Sequence, residues 1–274
     1  MSPITTLDSL PLEVTRPLPA YTPRFARMAL AGAGAILPGR DIPGAMLDNA
    51  TLATLSERVA ETLADRGVDR EIAPSTESFP YKRAGIRQRA LLDQALTTRD
   101  LAVAAGRRAL EASGVDASTV QCVIVSTVTA GEAFPSLATT VQSELGLPET
   151  AVAFDLCVGC SGALIALDTA GRFLLGAPEG ATALVIAAET MARLADASDR
   201  GTSMLFGDGA GAFVAVRSNS ARIWPVRSYT DGSQGDRIVA TVPADRENEP
   251  LYRFVARDGQ VDVEEDKAAR ARLW

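Results

Sequence analysis

Apolar and polar positions alternate along this chain in two periods, and the switch between them predicts its elements. Met28 to Leu37 (MALAGAGAIL) is a short apolar run that reads as a first strand. A helical repeat follows from about Thr51 to Arg66, bounded by Gly67 and Pro74. Thr97 with Asp100 three residues later is a capping-box start, and the helix it opens ends at Gly114. Gln121–Val128 (QCVIVSTV) is expected as a strand, and Ser136 opens a helix that Gly146 closes. Strands are then expected over Ala151–Leu156, Thr182–Ala188 and Gly211–Val216, with a helix over Ser161–Leu175 between the first two. That helix, SGALIALDTAGRFLL, is interrupted only by Asp168, Thr169 and Arg172, which predicts burial on every side. Continuous apolar strands alternating with helices indicate an α/β fold, its sheet parallel or mixed and covered on both faces.

Outside this alternating part the pattern weakens. Residues 1–25 hold five prolines (Pro3, Pro11, Pro17, Pro19, Pro23) and read as an extended N-terminal arm. Residues 40–80 read as an insertion, and the last stretch, VDVEEDKAARARLW, reads as the start of a helix. No apolar run of about 18 residues occurs, so no membrane span is expected. The N-terminus lacks the basic start and apolar core of a secretory leader. These features, with few cysteines, make a reducing cytoplasm the simplest setting. A net charge of −7 offers no broad basic face for nucleic acid.

Candidate chemistry narrows with one count: the chain contains no histidine. Ser-His-Asp and Cys-His arrangements and His-ligated metals cannot be assembled within it. Among three cysteines, Cys157 and Cys160 form one CxxC without a second pair, so no zinc set is expected. Cys160 stands between Gly159 and Ser161-Gly162 at a strand-to-helix junction. Unpaired N–H groups and the positive end of a helix stabilise a thiolate there, and small neighbours admit a carbonyl to the sulfur. On residue types alone, an activated nucleophile and a buried structural thiol both remain open. Cys157 and Cys122 are expected in the core.

Five segments carry a resemblance. FDLCVGCSGALIALDTA resembles the active-site segment of the ketoacyl-ACP synthase III family, thiolase-fold condensing enzymes. KRAGIRQR (Lys82–Arg89), AFPS (Ala133–Ser136), SDRGT (Ser198–Thr202) and FGDGAGA (Phe206–Ala212) resemble further family motifs in the family's order. Together they cover about residues 26–260. The resemblance implies a thiolase-like fold whose N-terminal half is complete (26–217, carrying the 40–80 insertion) and whose C-terminal half (218–274) is truncated. It implies Cys160 as the nucleophile, loaded from acyl-CoA and condensed with malonyl-ACP with loss of carbon dioxide. Arg83 and Arg200 match the arginines that contact CoA. Phe79 stands where the family often has the Trp that stacks on adenine. Phe134 matches the residue that reaches across a dimer into the partner's acyl pocket. Gly207, Gly209 and Gly211 are expected to permit close backbone approach.

The implied substrates are a CoA thioester and an acyl carrier protein; no resident cofactor is implied. The implied assembly is a homodimer, or a heterodimer with a related subunit, formed through the 136–146 helix and its neighbouring strand. The family's decarboxylating His and Asn lie in its second half and have no match here. Two alternatives therefore stand beside condensation: acyl transfer or thioester hydrolysis without decarboxylation, and a non-catalytic partner of an active homologue. Without most of a second sheet, the apolar face of the Cys160 helix is expected to meet water.

Overall fold

The computed structural model describes residues 27–68, 73–221, 226, 228–235 and 252–265. The expected arm over 1–25 lies outside these residues. The chain begins with β1 (Met28–Ile36), β2 (Gly44–Asp48), α1 (Asn49–Asp65), α2 (Ser78–Ala84) and β3 (Gln88–Leu92). It continues with α3 (Thr98–Ser113), β4 (Val120–Ser126), α4 (Leu137–Glu144), β5 (Val152–Leu156) and α5 (Gly162–Phe173). β6 (Thr182–Thr190), the one-turn α6 (Arg200–Ser203), β7 (Asp208–Arg217), β8 (Tyr252–Arg257) and β9 (Gln260–Glu265) complete it.

Five strands form one mixed sheet in the order β1-β7-β6-β4-β5. β4 lies parallel to both β5 and β6, while β7 runs antiparallel to β6 and to β1. Helices cover both faces. On one side Leu101, Ala105 and Val141 of α3 and α4 pack on Val123, Val125 and Ile186. On the other, Ala166 and Ala170 of α5 with Leu174 pack on Cys122, Ile124 and Val185. Both cores are made of small and branched side chains, which lets helix and sheet approach closely.

That approach has two contact points on β1. A Cβ on Gly32 would stand 2.5 Å from the carbonyl oxygen of Ala109, and one on Gly34 would stand 2.5 Å from that of Ala105. The glycine spacing read as part of a strand is therefore the seat of α3. The Thr97–Asp100 capping box holds the other end of that helix, with the Thr97 N–H donating to Asp100 Oδ2 at 2.7 Å.

Three expectations need correction. α5 is buried only along the face of Gly162, Ala166, Ala170 and Gly171, while Leu164 is 59% exposed and Phe173 and Leu175 also face outward. Its sequence is apolar all round, but among the described residues only one sheet covers it. Residues 40–80 do more than insert a helix: Gly44–Asp48 pairs antiparallel with Gln88–Leu92 in a two-stranded sheet. The segment expected to begin a helix, Val261–Glu265, is strand β9, paired with β8. Asp258 (φ 49) and Gly259 (φ 76) make the two-residue turn between them. That Asp-Gly, flanked by alternating residues, was the legible hairpin signal. Residues 266–274 lie outside those described.

The hairpin joins β2, β3 and α1 in a third core through Tyr252, Phe254 and Ala256. Arg58 of α1 and Arg66 at its C-cap pair with Asp262 and Glu265 of β9. No helix among the described residues is long and apolar enough to cross a membrane.

Gly34→Ala is expected to destabilise the fold, because the methyl would meet backbone and not a movable side chain. The expected cost is about 1–3 kcal/mol or more, checked by equilibrium denaturation.

Candidate active site

Parallel strands send their following loops to one edge of a sheet, and three of the expected site residues are on such loops. The loop carrying Phe134 leaves β4, Cys157–Cys160 leave β5, and the segment leading to Arg200 leaves β6. All three segments emerge at the C-terminal ends of β4, β5 and β6, which pair in register. This edge is where open α/β sheets place ligands.

Cys160 lies in a turn of 3₁₀ helix, Gly159–Ser161, that runs directly into α5. Gly159 has φ 59, a left-handed conformation that side chains resist, and it sets the turn that presents the thiol. Gly162 is fixed by contact: a Cβ there would stand 1.8 Å from Ser126 Oγ, at the end of β4. Cys160 is exposed in the described fold. Cys157, expected in the core, is exposed as well, because β5 ends at Leu156 and the chain leaves the sheet. Cys122 is buried as expected, and burial pushes its pKa up to about 11.

The arginines form a separate group. Phe79 and Arg83 stand four residues apart on α2, with Gly85 (φ 73) closing it. Arg200 opens α6, whose N-terminus is capped by the Asp199 side chain accepting from the Gly201 N–H at 2.8 Å. The Arg200 guanidinium lies over the Phe79 ring, 4.8 Å from its centroid. Two residues named independently are thus joined as a cation–π pair. A second pair, Arg87 over Tyr81 at 4.4 Å, extends the cluster. Phe134 is 88% exposed at the tip of its loop.

Other motif residues turn out to be supports. Arg89 is buried and donates to the carbonyls of Leu47 and Met204 and to Asn49 Oδ1, so it ties β2 and the start of α1 to the segment just after Arg200. Burial lowers its pKa. Asp208, the carboxylate of FGDGAGA, accepts the N–H groups of Leu92 (2.8 Å) and Ala192 (3.0 Å). Burial raises its pKa, against the lowering by those two bonds and by Arg193. Of the three motif glycines, Gly207 alone meets a tight neighbour, with a Cβ 3.0 Å from the Ala90 carbonyl oxygen. Gly209 and Gly211 would reach only ordinary contact. No His, Cys, Asp or Glu cluster among the described residues could hold a metal ion.

A thiol at the head of a helix at an α/β sheet edge, with Arg200 of the segment after β6 stacked on Phe79 of α2, belongs to the class of thiolase-like folds. The family model for 3-oxoacyl-[acyl-carrier-protein] synthase III matches residues 154–232, the stretch that includes Cys160, Arg200 and Asp208. A beta-ketoacyl-[acyl-carrier-protein] synthase III from Bordetella petrii is 37% identical over 234 residues, 84% of this chain and 65% of that protein. The priming β-ketosynthase of the R1128 polyketide pathway superposes with a TM-score of 0.65 at 30% identity, over 89% of this chain and 64% of that one. The 3-oxoacyl-[acyl-carrier-protein] synthase III of Aquifex aeolicus gives 0.58 at 30% identity, over 70% of this chain and 55% of that one. The chain is thus similar to the ketoacyl-ACP synthase III family in sequence and in fold. It spans less than two thirds of the length of these relatives.

Thiol-specific alkylation of the native chain is expected to label Cys157 and Cys160 and to leave Cys122 untouched until unfolding. Peptide mass spectrometry after timed labelling checks this; early labelling of Cys122 would contradict its burial.

Proposed function

We propose that this chain accepts an acyl group from a CoA thioester on Cys160, and that the loaded acyl group is destined for condensation with malonyl-ACP. The observation that carries the reading is the exposed Cys160 thiol at the head of α5, shaped by Gly159 and Gly162. The thiolate attacks the thioester carbonyl, the tetrahedral oxyanion forms, and the C–S bond to CoA breaks. The CoA thiolate takes up the proton that Cys160 gave to solvent. First-turn N–H groups and the helix dipole suit the developing oxyanion.

In this reading Arg83, Arg200 and Phe79 hold the CoA end of the substrate. A guanidinium suits both phosphate contact and stacking, and the existing Arg200–Phe79 pair supplies a flat face of the kind adenine stacks on. Phe in place of Trp gives a smaller face. Phe134, exposed beyond the sheet edge, is the arm that enters a partner's acyl pocket. β5 is an edge strand with Val152 exposed, which suits pairing with a second copy or a related subunit. The outward side of α5 (Leu164, Phe173), continued by Leu175 in the turn after it, is a further apolar surface suited to burial.

Condensation also needs the malonyl group to lose carbon dioxide, and the sequence has no histidine to assist that step. This favours, as a second reading, acyl transfer or thioester hydrolysis from Cys160 without decarboxylation.

Intact-mass spectrometry after incubation with acetyl-CoA and longer acyl-CoAs is the test. A mass gain of one acyl group is expected, lost in Cys160→Ala and slowed by roughly tenfold or more in Arg200→Ala, the scale of one charge-assisted contact. A folded chain that gains no mass with any acyl-CoA would contradict both readings. Malonyl-ACP-dependent discharge with release of carbon dioxide distinguishes condensation from hydrolysis.

A further inference from the structure

We infer that Asp155 and Glu189 act as a two-carboxylate clamp on the loop that carries Phe134, and so set how far that arm reaches. The inference rests on the reading of Cys160 as the loaded thiol and Phe134 as the acyl-pocket arm.

The loop leaves β4, the strand flanked in the sheet by β5 and β6. Each flanking strand presents a carboxylate from its penultimate residue, Asp155 on β5 and Glu189 on β6. Glu189 grips where the loop starts. Its Oε1 accepts the Val128 N–H at 2.9 Å, and its Oε2 accepts the hydroxyls of Thr127 at 3.2 Å and Thr129 at 2.6 Å. Asp155 grips where the loop ends. Its Oδ2 accepts the Leu137 N–H at 2.6 Å and its Oδ1 the Ala138 N–H at 2.8 Å, the first two amides of α4.

The local residue that ordinarily serves α4 does not do so. Ser136 occupies the N-cap position, yet its side chain makes no cap bond. The cap is supplied from the strand that leads into the nucleophile five residues later. Bonds from backbone N–H to a carboxylate are short and strong among hydrogen bonds, and a carboxylate at a helix N-terminus gains from the dipole. Between the two grips, residues 130–136 carry the exposed Phe134 side chain. The clamp therefore fixes both feet of the arm to the same sheet edge from which Cys160 emerges. Asp155 and Glu189 are positioning residues for acyl-chain selection, acting through Phe134 without touching the acyl group.

Asp155→Asn and Glu189→Gln keep size and one acceptor oxygen while removing the charge; the full chain is used throughout. The readouts are the ratio of Cys160 loading rates with a six-carbon and a two-carbon acyl-CoA, and amide hydrogen exchange resolved over residues 127–138. Each variant is expected to change the ratio by roughly three- to tenfold, in the direction given by Phe134→Ala, with no further change when combined with it. Exchange is expected to rise at Val128 in Glu189→Gln and at Leu137 and Ala138 in Asp155→Asn, with the sheet amides unchanged. Rescue of the ratio by Asp155→Glu, which restores the charge, would also support the clamp. A shifted ratio in Phe134→Ala with parental ratios in both clamp variants would overturn the inference and leave the arm reading intact. An unchanged ratio in Phe134→Ala would overturn both. If the parent loads no acyl group, the loading reading fails by itself. Exchange then decides the clamp: a rise confined to 127–138 supports it, and parental exchange there overturns it.

Discussion

The parallel pairing of β4 with β5 on one side and β6 on the other is the constraint on which the arrangement depends. Because all three strands run the same way, the loops after them must leave from one edge. That edge gathers Cys160, the Phe134 loop and the segment leading to Arg200, although they are separated by up to 66 residues of sequence (134 to 200). An antiparallel β5 would carry the thiol to the opposite end. The parallel pairing depends in turn on covered faces, since β4 is buried on both sides, with Cys122 and Ile124 toward α5 and Val123 and Val125 toward α3 and α4.

Polar groups near this edge are organised as supports. Asp155, Glu189 and Asp208 each accept backbone N–H groups from another part of the chain, and Arg89 donates to two carbonyls and an amide oxygen. Arg89 and Asp208 are buried, where a charge is costly unless hydrogen-bonded, and Asp155 and Glu189 are half-buried, so all four hold the segments they touch. The Phe134 loop is tied at both ends by such bonds, and Arg89 holds Met204, four residues past Arg200. The proposed site residues Cys160, Phe134, Arg83 and Arg200 are by contrast exposed.

The family likeness and the two faces of α5 belong together. The sequence of this helix suits burial all round, while the described fold covers one side. The chain also spans less than two thirds of its relatives' length. Among the described residues the edge of β5 and the outward apolar side of α5 are both left uncovered.

The sequence by itself determined the alternating α/β order, because strand and helix periods are local properties of the chain. It offered Cys160 as a candidate thiol while leaving the structural reading open, and its motifs carried the family resemblance. It could not place Cys157, because whether a residue just past a strand faces core or solvent depends on where the strand stops and what lies over it. Nor could it show that Gly32 and Gly34 seat α3, or that Asp155 and not Ser136 caps α4. Those facts join positions 17 to 77 residues apart, and no local period records them. Only the tertiary structure brought Phe79 under Arg200 and set a carboxylate at each foot of the Phe134 loop, because sheet order, which local sequence does not encode, decides which strands flank β4.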